Sequence, residues 1–227
     1  GHLAAIRANG LRVTSPQGEV HINPAMATDD PGDVGEVDLI LQEVKLYDVE
    51  TAVTELLPML GAETGIVSLQ NGIDAPAIIT RIAGVAHCIP GVALFNGEIA
   101  APGVIQHNAM NALSMGELGG RISPRLEALR KLAKGSVLDV AVSADIGLEL
   151  WRKFLRLTAI SGMSTLTRLP MSRIRENAAS WKLIGEALRE MVAVAQAEGV
   201  EFGERDIEET RTFLRDIIPD TWRGSLY

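Results

Sequence analysis

The chain of 227 residues, 47% hydrophobic and 22% charged, is long enough to bury a core and to form one or two domains. Its formal charge of −8 at pH 7 argues against nucleic acid as the main partner, because phosphate binding requires a basic surface. No apolar run reaches the length of a membrane span and no basic-then-apolar leader opens the chain, so we expect a cytoplasmic protein without membrane association.

Cysteine and histidine are scarce. The single cysteine, Cys88, excludes an intrachain disulfide and a cysteine-rich zinc site. The four histidines form no His-x-x-x-His pair, so we predict no metal site. No Gly-x-Ser-x-Gly segment supports a serine hydrolase.

The first half alternates between predicted strands and helices. Short alternating segments at 11–14 and 19–22 flank a Pro-Gln-Gly turn and predict a hairpin. Beyond an Asp/Pro/Gly-rich loop, the hydrophobic periods predict strand 37–41, helix 48–60 capped by Gly61, strand 65–69, helix 73–82 and strand 85–95. Strands that alternate with helices predict an α/β fold with a parallel, doubly wound sheet.

Polar residues follow two of these strands. Lys45 follows strand 37–41, and Asn71-Gly72 follows strand 65–69. Ligands of doubly wound sheets bind outside the carboxyl ends of the strands, so both positions are candidates for a binding site. On base rates, Asn-Gly is more often an ordinary turn and Lys45 an ordinary surface lysine.

The middle of the chain predicts short antiparallel strands joined by turns, at 103–106 and 112–115. Ser123 and Pro124 then predict the start of a helix that runs to about Ala133, and 137–142 predicts another strand. Glu98 and Glu117 have no spacing that favours paired acid–base chemistry, so a solvated face is the better interpretation.

After Asp145 the pattern is helical, with helices predicted at 146–161, 180–198 and 204–218. The second has an apolar face broad enough to bury against neighbouring helices or another subunit. The change of period places the boundary between two domains near residues 142–145. A helical interaction module without chemistry of its own is the alternative interpretation of this half.

Lys153 lies beside the apolar stripe of the first of these helices, formed by Leu150, Phe154, Leu157 and Ile160. By default such a lysine extends its ammonium to water, but a lysine at the edge of a buried surface can also become a desolvated acid.

Several segments together resemble the ketopantoate reductase (2-dehydropantoate 2-reductase) family. They occur in the family's order along nearly the whole chain: Ile6-Arg7-Ala8-Asn9-Gly10-Leu11, Val44-Lys45, Leu69-Gln70-Asn71-Gly72, Pro102-Gly103-Val104-Ile105 and Trp151-Arg152-Lys153. The resemblance implies a Rossmann-like NADP-binding domain over 1–143, followed by an all-helical domain over 144–227 for substrate binding and dimerisation.

The resemblance also implies NADPH-dependent reduction of a 2-oxo acid to the 2-hydroxy acid, as in the conversion of ketopantoate to pantoate in pantothenate biosynthesis. Lys153 matches the catalytic lysine that protonates the nascent alkoxide. Lys45, Asn71 and Gly72 match cofactor-binding positions, and Asn71, Lys153 and Ser225 match substrate-binding positions. A homodimer through the helical domain would be consistent with the family.

Three departures from the family pattern concern the substrate. Leu157, Ser161 and Met171 stand where the family has asparagines. Loss of a buried hydrogen-bond partner costs roughly 1–3 kcal/mol, so we expect a different, less polar 2-oxo acid or ketone.

The Gly-x-Gly-x-x-Gly turn and the catalytic glutamate of the family have no counterpart between Gly1 and Tyr227. A fragment that lacks the Gly-rich strand–turn–helix is expected to bind NADPH poorly. The alternative function is therefore a non-catalytic fragment or a helical dimerisation module.

Overall fold

The computed structural model describes residues 1–222 and 224, and the chain divides into two compact units, Gly1–Gly147 and Leu148–Tyr227. The first unit contains four helices, α1 His2–Asn9, α2 Val49–Leu56, α3 Ala75–Ala83 and α4 Pro124–Leu132. It also contains seven strands, β1 Leu11–Ser15, β2 Gly18–Ile22, β3 Val37–Gln42, β4 Leu60–Ser68, β5 Cys88–Ala101, β6 Val104–Met115 and β7 Asp139–Val142.

All seven strands belong to one mixed sheet in the order β2-β1-β6-β5-β4-β3, with β7 also paired to β6. Strands β3, β4 and β5 run parallel to one another, as the strand–helix alternation predicts. The hairpin of β1 and β2 is antiparallel, as predicted, and so is the pair of β5 and β6. The predicted α/β, Rossmann-like class is confirmed, in a sheet that is mixed rather than wholly parallel.

Helices cover both faces of the parallel part because successive side chains of a strand point to opposite sides. On β4, Ile66 packs in a cluster with residues of α2 and α3, whereas Val67 packs in a second cluster with Leu126 of α4. Both residues of β4 are fully buried. This two-sided burial is the reason why the strand reads as a continuous apolar run.

The antiparallel part differs from the prediction of several short strands. It is one long hairpin, in which Pro102 and Gly103 form the loop and Ala101 pairs with Val104. The register shifts between Phe95 and Gly97 and again before Ala101. A bulge absorbs an extra residue without ending the strand, so a glycine such as Gly97 marks an irregularity here and not a turn.

Helix α2 is also shorter than the predicted 48–60. It ends at Leu56, and a 3-10 turn containing Pro58 leads directly into β4. Pro58 has no amide hydrogen to continue the helical hydrogen bonds, and Gly61 lies in the strand rather than at a helix cap. Helix α1 was not predicted, because it buries none of its residues and therefore carries no apolar stripe.

The second unit is helical, with α5 Ile146–Thr167, α6 Met171–Glu176, α7 Ala178–Ala197 and α8 Glu204–Asp216. Helix α5 extends beyond the predicted end at Ser161, and α6 was not predicted. The apolar core of this unit includes Leu155, Ile160, Met171, Ile174, Ile184, Leu188, Ile207 and Leu214. In the described part of the chain, no helix is both long and apolar enough to cross a membrane.

Candidate active site

In the first unit, the structure brings together the two loops that the sequence singled out. Strands β3 and β4 are parallel neighbours, with Gln42 opposite Ser68 at their carboxyl ends. Lys45 and Asn71 follow these two ends within three residues, and both are exposed. The loops are tied together because the backbone carbonyl of Gln42 accepts hydrogen bonds from the Leu69 amide, at 3.2 Å, and from Gln70 Nε2, at 2.8 Å.

The backbone conformation at position 72 requires a glycine. Its φ of +104° lies in a region that side chains rarely adopt, and a Cβ built on it would lie 3.1 Å from Leu46 Cδ2. The loop after β4 therefore approaches the loop after β3 as closely as a glycine permits.

A buried polar row that the sequence analysis did not identify lies beneath these loops, formed by Gln42, Ser68 and Gln70. Their exposed fractions are only 3%, 3% and 6%. Ser68 Oγ donates to Gln70 Oε1 at 2.8 Å. The side-chain Nε2 and Oε1 of Gln42 have no hydrogen-bond partner within the described residues. The sequence did hold a sign of this row. Gln42 comes two residues after Ile40, so its side chain points to the same buried side of the strand.

This end of the sheet fits the polar parts of a nicotinamide dinucleotide. Lys45 supplies a cation and Asn71 an exposed amide. Gly72 lets the backbone come close to a ligand, and Gln42 has a buried amide without a hydrogen-bond partner among the described residues. Such neutral donors and acceptors suit hydroxyl and amide groups, and a lysine suits a phosphate. Residues 1–222 and 224 contain no cluster of His, Cys, Asp or Glu that could hold a metal ion.

In the second unit, Lys153 lies on α5 and is half-buried. Burial lowers the pKa of its ammonium from an ordinary value of 10.5 to about 8. The face of α5 that enters the core is rotated relative to the predicted stripe. Leu150 and Ile160 are buried as expected, whereas Phe154 and Leu157 are only half-buried and Leu155 is buried instead.

Lys153, Leu157, Ser161 and Ser164 follow one another at three- and four-residue steps, so they form one stripe along α5. Gly224 lies against the far end of this stripe, at Ser161 and Ser164, which are roughly 12 and 16 Å from Lys153 along the helix. Its amide donates to Ser164 Oγ at 3.1 Å, and a Cβ on it would lie 3.2 Å from the Cα of Ser161. Ser225, the predicted substrate contact, lies outside the described residues.

Met171 does not belong to this stripe. It is the first residue of α6, and its side chain is fully buried in the core of the second unit. The amide of Met171 donates to the carbonyl oxygen of Trp222 at 3.0 Å. Met171 therefore contributes an apolar side chain to the core of the second unit.

Arg156 is a neighbour of Lys153 that the sequence analysis did not single out. Its guanidinium lies 4.4 Å from the centre of the Phe213 ring on α8. Burial, and next the positive charge of Arg152, lower the pKa of Arg156. The first half of α5 thus carries three half-buried cationic side chains, Arg152, Lys153 and Arg156.

Comparison with known proteins assigns both units. The model of the family "Ketopantoate reductase PanE/ApbA" matches residues 1–120, and that of its C-terminal part matches residues 145–227. The 2-dehydropantoate 2-reductase of Mesorhizobium japonicum is 27% identical over 252 residues, covering 98% of this chain and 76% of the relative. That of Halobacterium salinarum is 26% identical over 211 residues, covering 92% and 69%.

Solved structures show the same fold. The 2-dehydropantoate 2-reductase of Geobacter metallireducens has a TM-score of 0.88 at 24% identity and covers 98% of this chain and 74% of its own. A D-mandelate dehydrogenase solved with NADH and anilino(oxo)acetate has a TM-score of 0.83 at 20% identity, covering 100% and 73%. With a family model that spans more than half of its residues, the chain belongs to the ketopantoate reductase PanE/ApbA family.

Proposed function

We propose that the protein reduces a 2-oxo acid to the corresponding 2-hydroxy acid with NADPH. The observation that carries the proposal is Lys153, a half-buried lysine whose pKa of about 8 makes it an effective acid near neutral pH. Residues 1–143 would bind the cofactor, and residues 144–227 would bind the substrate.

When bound, a nicotinamide cofactor would supply the hydride that reduces the carbonyl carbon of the substrate. As negative charge develops on the carbonyl oxygen, the Lys153 ammonium stabilises it and donates a proton to form the hydroxyl group. Lys153 is then neutral and regains its proton from water. Its lowered pKa favours the transfer, because a desolvated ammonium releases its proton more readily than an exposed one.

The loops after β3 and β4 would hold the cofactor. Lys45 would pair with a phosphate, and the amide of Asn71 would bind both cofactor and substrate near the reacting carbon. Gly72 would allow the backbone to approach the cofactor, since any side chain there would strain the loop and press against Leu46.

The preferred substrate would be less polar than ketopantoate. Leu157, one turn after Lys153, offers no hydrogen bond to a hydroxyl or carboxylate, and Ser161 offers only a short hydroxyl. Ser225 would contact the substrate, as the resemblance to the family implies. A Leu157→Asn change is expected to raise kcat/KM for ketopantoate about tenfold relative to an apolar 2-oxo acid, in line with one added hydrogen bond.

Dimerisation is the second candidate role of the helical unit. Leu183 and Val194 on α7 are 47% and 50% exposed, although the other large apolar residues of this helix are packed in the core. A homodimer through this face is compatible with the reductase. A dimer without cofactor binding would support the interaction module instead.

The test uses the intact polypeptide that carries this sequence. NADPH and NADH are added separately, and the unfolding temperature is measured with each, because a ligand that binds only the folded state raises it. Oxidation of the bound cofactor is then followed with ketopantoate and with branched and aromatic 2-oxo acids.

Protection by NADPH together with turnover of any 2-oxo acid supports the reductase. Absence of protection by either cofactor, with no turnover, would overturn it and leave the non-catalytic alternative. Greater protection by NADH than by NADPH would correct the cofactor preference alone.

A further inference from the structure

Gln42 is a buried side chain with two unpartnered atoms, whereas Thr80, Arg152 and Arg156, which are half-buried residues of the described chain, each have one. It is 3% exposed, and both its donor Nε2 and its acceptor Oε1 lack a hydrogen-bond partner among these residues. Buried amides are almost always paired, because removing them from water without a partner costs stability. An apolar residue would fit the end of β3 at no such cost.

Gln70 provides a direct comparison, because it has the same side chain at the same depth on the neighbouring strand end. Its Nε2 donates to the Gln42 carbonyl at 2.8 Å, and its Oε1 accepts from Ser68 Oγ at 2.8 Å. Ser68 and Gln70 thus satisfy each other and hold the backbone of Gln42. The side-chain amide of Gln42 is what remains unpaired in this row.

The position of Gln42 decides what can pair with it. Gln42 is the last residue of β3, and the exposed residues Glu43, Val44 and Lys45 follow it directly. Its side chain points to the same side of the strand as that of Ile40, which packs against residues of α2 and α3. The unpaired amide therefore lies at the carboxyl end of the sheet, beneath the loop that the proposed function assigns to the cofactor.

We propose that Gln42 is a binding residue for the nicotinamide dinucleotide, and that the ligand supplies the partners its amide lacks. This inference rests on the proposed function. The matching ligand chemistry is a neutral group that both donates and accepts a hydrogen bond, because a carboxamide presents one donor side and one acceptor side. A ribose hydroxyl and the nicotinamide carboxamide both have this property.

The test is a pair of substitutions in the intact polypeptide, Gln42→Met and Gln70→Met, which are alike in size and depth. Gln42→Met removes two unsatisfied groups, so the unfolding temperature of the ligand-free protein should rise. The same change should weaken NADPH binding, measured by cofactor fluorescence, about tenfold, as expected for the loss of one good hydrogen bond. Gln70→Met removes two bonds that are made, so it should lower the unfolding temperature.

Binding of ADP-ribose, which lacks the nicotinamide, shows whether Gln42 contacts a ribose hydroxyl or the nicotinamide carboxamide. If its affinity also falls in Gln42→Met, the contact is with the ribose; if only the complete dinucleotide is affected, the contact is with the nicotinamide. Unchanged NADPH affinity in Gln42→Met, with binding by the unaltered protein, would overturn the inference alone. A fall in the unfolding temperature of ligand-free Gln42→Met like that of Gln70→Met would also overturn it, since a buried water would then already pair the amide. Absence of NADPH binding by the unaltered protein would instead refute the proposed function.

Discussion

The two units bury polar groups in different ways. The first buries several polar side chains, most of them near the ends of its strands and helices, namely Gln42, Thr64, Ser68, Gln70, Glu117, Ser123 and Ser143. Among the described residues of the second, only Ser164 and Thr210 are buried polar groups, and its core is otherwise apolar. Its cationic groups lie half-buried along α5 instead, as Arg152, Lys153 and Arg156 do.

The difference indicates what a substitution should change in each unit. Apart from the unpaired amide of Gln42, these polar groups of the first unit belong to a hydrogen-bonded framework, so their loss should lower stability. A cation on the stripe of α5 contributes little to the core, so its loss should change chemistry more than folding. The following predictions test this contrast, starting with the largest expected effect.

Lys153→Met should reduce kcat by about 10²–10⁴-fold, the usual contribution of a general acid, while NADPH binding stays within a few-fold of the unaltered value. Initial rates under saturating substrate measure the first quantity, and cofactor fluorescence the second. Lys182→Met is the matched control, because Lys182 is an exposed lysine of α7 that pairs with Glu186 at 3.4 Å. Equal rates in Lys153→Met and in the control would contradict the role of Lys153.

Arg125→Met should destabilise the first unit by about 3 kcal/mol, since it leaves a buried carboxylate unpaired. Glu117 is 9% exposed at its side chain, and Arg125 bonds it through Nε at 2.8 Å and Nη2 at 2.6 Å. Burial raises the pKa of Glu117, but the hydrogen bonds from Arg125 and Ser123 outweigh it and leave the pKa below its ordinary value.

Denaturant unfolding of Arg125→Met measures this loss. Arg130→Met is the control on the same helix, because Arg130 forms an exposed pair with Glu127 and its loss should cost less than about 1 kcal/mol. Similar losses in the two variants would show that the buried pair contributes no more than the exposed one.

The rate of reduction should fall about tenfold per pH unit above the Lys153 pKa of about 8, because only the protonated lysine can donate. The stability effect has the opposite direction. The folded state holds fewer protons than the unfolded state between pH 8 and 10.5, so the free energy of unfolding rises with pH in this window. Lys153→Met should abolish this rise, and a rise of equal size in the variant would assign it to another group.

Gly72→Ala should cost about 1–2 kcal/mol, measured as a lower unfolding temperature and a raised KM for NADPH, because alanine is strained at a φ of +104°. Normal stability with normal KM would mean that the loop rearranges freely.

Gly162→Ala should have a smaller effect of the opposite sign. Gly162 lies within α5, where a Cβ would meet nothing within 4 Å, so alanine should stabilise the second unit by roughly 0.5–1 kcal/mol. A loss of stability would show that this face of α5 is covered in solution.

The sequence alone indicated the elements whose burial is regular. Strand β4 and helix α7 carry enough apolar residues at the proper period to be located, and Ser123 with Pro124 marks the start of α4. The position of polar residues next to strand ends and beside an apolar helix face also pointed to Lys45, Asn71 and Lys153 as candidate site residues. The roles of these residues come from the resemblance to a family and remain predictions. Hydrophobic periodicity alone could not have indicated them.

Long-range contacts decided the rest. Gly97 of β5 looks like part of a turn in the sequence, but the pairing of β5 with β6 places it at a bulge. Helix α1 has no buried residue that a hydrophobic pattern could reveal. Glu117 looks solvated in sequence, yet the fold buries it against Arg125. Gln42 is an ordinary strand residue in sequence, and only tertiary burial leaves its amide unpaired. Periodicity records which face of an element is covered, whereas the partner of a polar atom depends on residues far away in the chain.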